Sequence, residues 1–137
     1  NTHIIDVVLV SPLRRTLETA EYIFPKYHKF ASTDLIKENV VNPCDFREPV
    51  GIISKSFDYV DFSEVNDDYN YNAQETPQDI KNRVDAFYYY LQQLPFKNIA
   101  VVTHAVFLKS FLDVYGKKLN IEDNSWFKNC EIRIGTL

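Results

Sequence analysis

The chain has 137 residues, 15 lysines and arginines against 19 aspartates and glutamates, a formal charge of −4 and 45% hydrophobic content. That length supports one domain-sized core, or most of one, and excludes a multidomain machine, while scattered and outnumbered basic residues leave no electrostatic footprint for nucleic acid. The longest apolar runs, Val7 to Val10 and Ile99 to Val102, are far short of the roughly 20 residues that cross a bilayer, so no membrane partner is expected.

Ile4 to Val10 is a short β-branched run of the kind that forms a strand covered on both faces of a parallel sheet. Ser11-Pro12 ends it, with Ser11 as a candidate helix cap and Pro12 at the first helical position; Leu13, Leu17, Ala20 and Phe24 then repeat at helical spacing. From about Ser32 to Glu75 the chain is polar, carries Pro43 and Pro49, and shows little periodicity, which predicts a long functional or mobile connection. Asp68, Asn70 and Asn72 copy the opening of a calcium loop, but Ala73 and Asp79 stand where glycine and glutamate belong, so this is a solvated loop and no metal site is expected. Thr76-Pro77-Gln78-Asp79 forms a capping box ahead of a stripe of Ile80, Val84, Phe87, Leu91 and Leu94, with Tyr88 to Tyr90 on its flank. Ile99 to Thr103 is a second strand, His104 its corner, and Ala105 to Leu108 the start of another helix. The alternation through Asn129 to Ile134 predicts a final edge strand.

Cys44 and Cys130 lack metal-ligand spacing and are too few for a disulfide framework, which predicts a reducing, cytoplasmic setting. The chain opens at Asn1 and holds no methionine, which predicts that residues precede it.

Ligands of open α/β sheets sit beyond the carboxyl ends of the strands, where Ser11 to Arg15 and Thr103-His104 both fall. Arg14 and Arg15 occupy a first helical turn, whose dipole already presents positive charge, so an anion there would relieve the misfit; the alternative is that both guanidiniums extend into water. A histidine and an arginine at equivalent corners of two strands are the donors that a phosphoryl group needs, although a lone histidine in such a place is often structural.

Ser11-Pro12-Leu13-Arg14-Arg15-Thr16-Leu17-Glu18-Thr19-Ala20 resembles the S-P-L-x-R-x-x-x-T-A segment of the histidine phosphatase, or phosphoglycerate mutase-like, superfamily. Asp34 to Glu38 resembles its L-x-E segment; Pro43 to Arg47 and Val60 to Ser63 resemble its plant, fungal and protist phosphatase-like branch. Glu75-Thr76 with Arg83-Val84, Val102-Thr103-His104, and Asn129 to Arg133 continue the order. The resemblance implies a three-layer α/β sandwich with a mostly parallel sheet, and residues 1–137 as one domain lacking its N-terminal strand. It implies Arg15 and His104 on the phosphoryl group with the Ala105 backbone beside them, Glu38 as general acid, Arg47 at the substrate, and Arg14 on the surface. It implies no metal or cofactor and a small phosphorylated substrate. The R-H-G motif that carries the nucleophile is absent, and Asn1-Thr2-His3 cannot supply it. Because that motif ends the central strand, its absence predicts a gap that exposes two neighbouring strands. The expected activity of the intact protein is phosphomonoester hydrolysis through a phosphohistidine. A mutase-type phosphotransferase and an inactive phospholigand- or protein-binding relative are the alternatives.

Overall fold

The computed structural model describes residues 4–137; Asn1-Thr2-His3, weighed above as a substitute nucleophile segment, lie outside the described residues. Four parallel strands, β1 (Val7–Val10), β2 (Phe30–Thr33), β3 (Val60–Glu64) and β4 (Ile99–Val102), lie in the order β3-β2-β1-β4. Four α-helices alternate with them: α1 (Arg14–Ile23), α2 (Val50–Ser56), α3 (Pro77–Gln93) and α4 (Ala105–Tyr115). Among the described residues no helix is long and apolar enough to cross a membrane.

The apolar run of β1 is explained by its central place. Val7 and Leu9 face a core built with Val84, Phe87, Phe107 and Phe111 of α3 and α4, while Val8 and Val10 face Leu17, Ala20, Ile53 and Phe57. Helices therefore cover both faces, which is the expected three-layer α/β architecture. Each fully buried phenylalanine of the α3–α4 core contributes on the order of 1.5–3 kcal/mol relative to exposure. The capping box of α3 forms as expected: Asp79 N–H donates to Thr76 Oγ1 at 3.1 Å and Thr76 N–H donates to Asp79 Oδ2 at 2.8 Å.

Three expectations are corrected. The polar middle contains β2, α2 and β3, together with 3-10 turns at Asp34–Ile36 and Pro43–Asp45. The segment 129–134 forms no strand: Cys130 takes a φ of 63°, and Glu131 N–H turns back to Lys128 O at 3.1 Å. Arg133 closes this turn by donating to Glu131, to Asp123 O and to Ser125 O while stacking 3.8 Å from the Phe127 ring. Finally, the sheet has no internal gap. β1 pairs directly with β2 and β4, with Val8 opposite Phe30 and Ala100, so the free edges of the described sheet are those of β3 and β4.

Candidate active site

Parallel strands end on one side, and the register brings two of those ends together. Ser11 N–H donates to Val102 O at 3.0 Å, one residue past β1, so Ser11 lies beside the Thr103-His104 corner. Its hydroxyl is 2.8 Å from His104 Nε2, and both residues are buried. This contact displaces the role expected for Ser11 as helix cap. Helix α1 starts at Arg14 with Leu13 as N-cap residue, and Thr16 Oγ1 donates to Leu13 O and Ser11 O at 2.7 and 3.0 Å.

The Glu38 loop is tied to the same corner. Thr103 Oγ1 donates to Ile36 O at 2.5 Å, and Glu38 Oε1 accepts from Phe107 N–H of α4 at 3.1 Å and from Asn39 N–H at 2.9 Å. The carboxylate thus takes up one of the first-turn donors that a helix leaves unpaired. Burial raises the Glu38 pKa above the ordinary carboxylate value, and Asp45 adds to this; the two backbone donors and Arg15 pull the other way. Oε2 has no protein partner among the described residues, so it is the oxygen on which a proton would sit.

His104 is driven in the opposite sense. Burial, then the positive charges of Arg15 and Arg83, lower its pKa to about 3, with Asp45 opposing, so the imidazole is neutral near pH 7.

The two adjacent arginines have different partners, and Arg15 is exposed while Arg14, expected on the surface, is half-buried. Arg14 is forked on Glu48, Nε and Nη2 each 2.9 Å from a carboxylate oxygen. Arg15 donates Nη1 to the Cys44 carbonyl at 2.8 Å and has no carboxylate partner among the described residues. Its charge acts on both His104 and Glu38. Ala105 opens α4 with an exposed side chain and a first-turn N–H.

Arg47 does not fit the substrate role expected for it. Its side chain is fully buried, and it donates to Asp34 Oδ1 and Oδ2, to Asp67 Oδ1, and to the carbonyls of Glu48 and Asn66, at 2.7 to 3.1 Å. All five N–H groups of the guanidinium are occupied, and it stacks 3.6 Å from the Tyr71 ring. Arg47 binds the loops together and has nothing left to offer a ligand.

Sequence reasoning gave Arg83 no role beyond its place in a motif. From α3 it donates to Leu35 O at 3.0 Å, Lys37 O at 2.8 Å and Asn39 Oδ1 at 3.3 Å, and it pairs through Nε and Nη2 with Glu75 at 2.9 Å. Glu75 in turn accepts Val40 N–H at 2.9 Å, so this ion pair grips the backbone on both sides of Glu38. The legible signal was an arginine next to the apolar stripe with a glutamate eight residues earlier. Two cavities, of about 160 and 440 Å³, lie between β2, β3 and α3, and neither is lined by Arg15, Glu38 or His104.

Arg15 without a carboxylate partner among the described residues, His104 with a lowered pKa and Glu38 with a raised one thus gather around the carboxyl end of the parallel sheet. A family model described as the histidine phosphatase superfamily, branch 1, matches residues 1–135. The chain belongs to the histidine phosphatase superfamily. The chain is also similar to phosphoglycerate mutase-like protein 2 of Arabidopsis thaliana, 33% identical over 101 residues, covering 68% of this chain and 29% of that protein. It thus spans less than a third of the length of this curated relative. No solved structure matches it. The histidine phosphatase superfamily is one of phosphatases and mutases acting on small phosphorylated substrates.

Proposed function

We propose that the protein is a cytoplasmic phosphomonoester phosphatase that works through a phosphohistidine intermediate, with the nucleophilic histidine outside this sequence. The observation that carries this reading is the uncompensated guanidinium of Arg15, whose charge acts on both His104 and Glu38 at one end of the sheet. The exposed, unpaired Cys44 and Cys130 are consistent with a reducing compartment. Residues of β4 are half-buried and pair on one side only, so a strand added at that edge would bring a histidine at its end beside His104.

In this mechanism the histidine attacks phosphorus in line with the leaving oxygen, and the P–O bond breaks as the N–P bond forms. Glu38 delivers the proton on Oε2 to that oxygen; its Oε1, held by two N–H groups, keeps the carboxyl aimed. Arg15, His104 and the Ala105 N–H lie on the non-bridging oxygens, where negative charge is held in the transition state. Water then attacks the phosphohistidine while the Glu38 carboxylate takes its proton, releasing phosphate and restoring the acid.

The name of the Arabidopsis relative favours a second reading, phosphotransfer of the phosphoglycerate mutase type, in which a second hydroxyl replaces water. The full-length protein incubated with a labelled phosphoester and quenched should yield an acid-labile, alkali-stable phosphoenzyme and free phosphate. Recovery of the label on an acceptor alcohol instead of water would establish the mutase reading. Glu38→Gln should slow esters with poor alkyl leaving groups by roughly 100-fold or more, and nitrophenyl esters far less, because only the poor leaving group needs the proton. Equal losses on both would refute the acid role. Phosphate-ester binding with neither phosphoenzyme nor turnover would mark a binding relative.

A further inference from the structure

We propose that Ser11 is a positioning residue: its hydroxyl donates to His104 Nε2 and so keeps the imidazole proton on Nδ1, the nitrogen that faces the phosphoryl group. This rests on the phosphatase reading above and adds to it which nitrogen of the histidine is the donor and what fixes it.

The hydrogen-bond balance of one buried hydroxyl carries the assignment. Ser11 has no exposed surface, and its backbone is held on both sides, N–H on Val102 O and carbonyl under Thr16 Oγ1. Its Oγ accepts from Leu13 N–H at 3.4 Å and lies 2.8 Å from His104 Nε2. A serine hydroxyl has one proton to give and lone pairs to receive. If Nε2 carried the imidazole proton, Oγ would accept twice and its own proton would point into the protein with no acceptor among the described residues. A buried donor left that way costs more than an ordinary hydrogen bond contributes. With the proton on Nδ1, every group is satisfied: Leu13 N–H to Oγ, and Oγ–H to Nε2.

Nδ1 is where a donor is needed. It has no protein partner among the described residues, where no buried side-chain nitrogen or oxygen is left unpaired, so Nδ1 keeps some exposed surface from which it can meet a ligand. A neutral imidazole can donate to a phosphoryl oxygen only from the nitrogen that bears hydrogen, and the other tautomer would present a lone pair to negative charge. The geometry of Ser11 therefore decides whether His104 attracts or repels the transferring group.

The test uses the full-length protein labelled with nitrogen-15 at histidine, with the His104 signals identified by their loss in His104→Asn. Near pH 7 the expected result is a single tautomer with hydrogen on Nδ1. In Ser11→Ala the Nε2–H form should become populated, and kcat/KM for phosphoester hydrolysis should fall about tenfold, the effect of one lost donor; Ser11→Cys, a weaker donor, should fall between the two. Arg15→Ala should lower turnover without moving the tautomer, which separates lost charge from lost positioning. A proton on Nε2 in the unsubstituted protein would overturn the inference, and that measurement decides even if a Ser11 variant fails to fold. So would a Ser11→Ala protein whose tautomer and rate are unchanged. Tautomer populations that follow Ser11 in a protein without phosphatase activity would uphold the role of Ser11 and sink the phosphatase reading alone.

Discussion

Arg14 and Arg15 are neighbours at the head of one helix, yet among the described residues only Arg14 has its charge balanced by a carboxylate. Glu48 neutralises Arg14 in a fork that is about 40% exposed, where solvent screening leaves an ion pair little net effect on stability. Arg14→Ala should therefore leave kcat/KM of the full-length protein within about twofold and lower stability only slightly, whereas Arg15→Ala should reduce kcat/KM by about 100-fold or more, as expected for removal of a transition-state charge. Steady-state kinetics on both variants checks this, and the reverse order would exchange their roles. His104 sets a pH dependence with a definite sign. Its folded value of about 3 lies below its ordinary 6.5, so below pH 6.5 the unfolded chain binds a proton that the folded one refuses, and stability falls as pH drops towards 3. Between pH 6.5 and 5 the loss should be about 2 kcal/mol, and His104→Asn should flatten the curve. Glu38, whose value is raised, acts oppositely: its contribution is present at low pH and is lost as pH rises through the raised value. Thermal unfolding of both proteins across that range measures the difference.

The loops around residues 34, 43 to 49 and 66 to 72 are one element in all but name, because Arg47 joins them. Arg47→Met should lower stability by roughly 3–5 kcal/mol, since Asp34 and Asp67 lose their cation in a partly buried site, and KM should change only as far as the loops loosen. A raised KM with an unchanged melting temperature would return Arg47 to the substrate. Nothing in the polar composition of this region announced such order, and the same blindness hid two strands. β2 reads Phe-Ala-Ser-Thr; its Ser32 and Thr33 become buried only because their hydroxyls find Val10 O and Leu35 N–H, partners that a local pattern does not contain. β3 carries Asp61 and Ser63 on a face that no helix covers completely, so its alternation looks like loop. The converse error lies at 129–134. The alternation there is real, but Ile132 and Ile134 are 80% and 85% exposed, because alternation records the capacity to pair and no described strand lies alongside. β1, α1 and α3 were legible because burial on both faces, or a 3.6-residue stripe, writes itself into every position, and half-buried β4 was legible from its short β-branched run. Arg15, Glu38 and His104, the residues of the proposed mechanism, were singled out through an ordered run of motifs. Ser11 and Arg83 were not, because their roles lie in partners 93 and 44 to 48 residues away.

At the scale of the molecule, a continuous four-stranded sheet replaces the expected gapped one, so any further strand would have to add at an edge. On the proposed mechanism a polypeptide of these 137 residues alone should turn over no phosphoester, while the full-length protein does; a sensitive phosphate-release assay on both decides it. Turnover by the shorter chain would mean that the nucleophile lies among residues 1–137. The three bonds that assemble the site, Ser11 to His104, Glu38 to Phe107 and Thr103 to Ile36, join residues 93, 69 and 67 positions apart. Closing loops of that length is slow compared with forming a helix, so these contacts belong to the late, non-local part of folding. During synthesis the consequence is stricter still. Helix α1 and the Glu38 loop leave the ribosome with only part of their sheet, and on the proposed mechanism no anion site is complete until Phe107 has emerged. A stalled or truncated translation product that ends before α4 is therefore born without phosphate affinity, however much of the rest has folded.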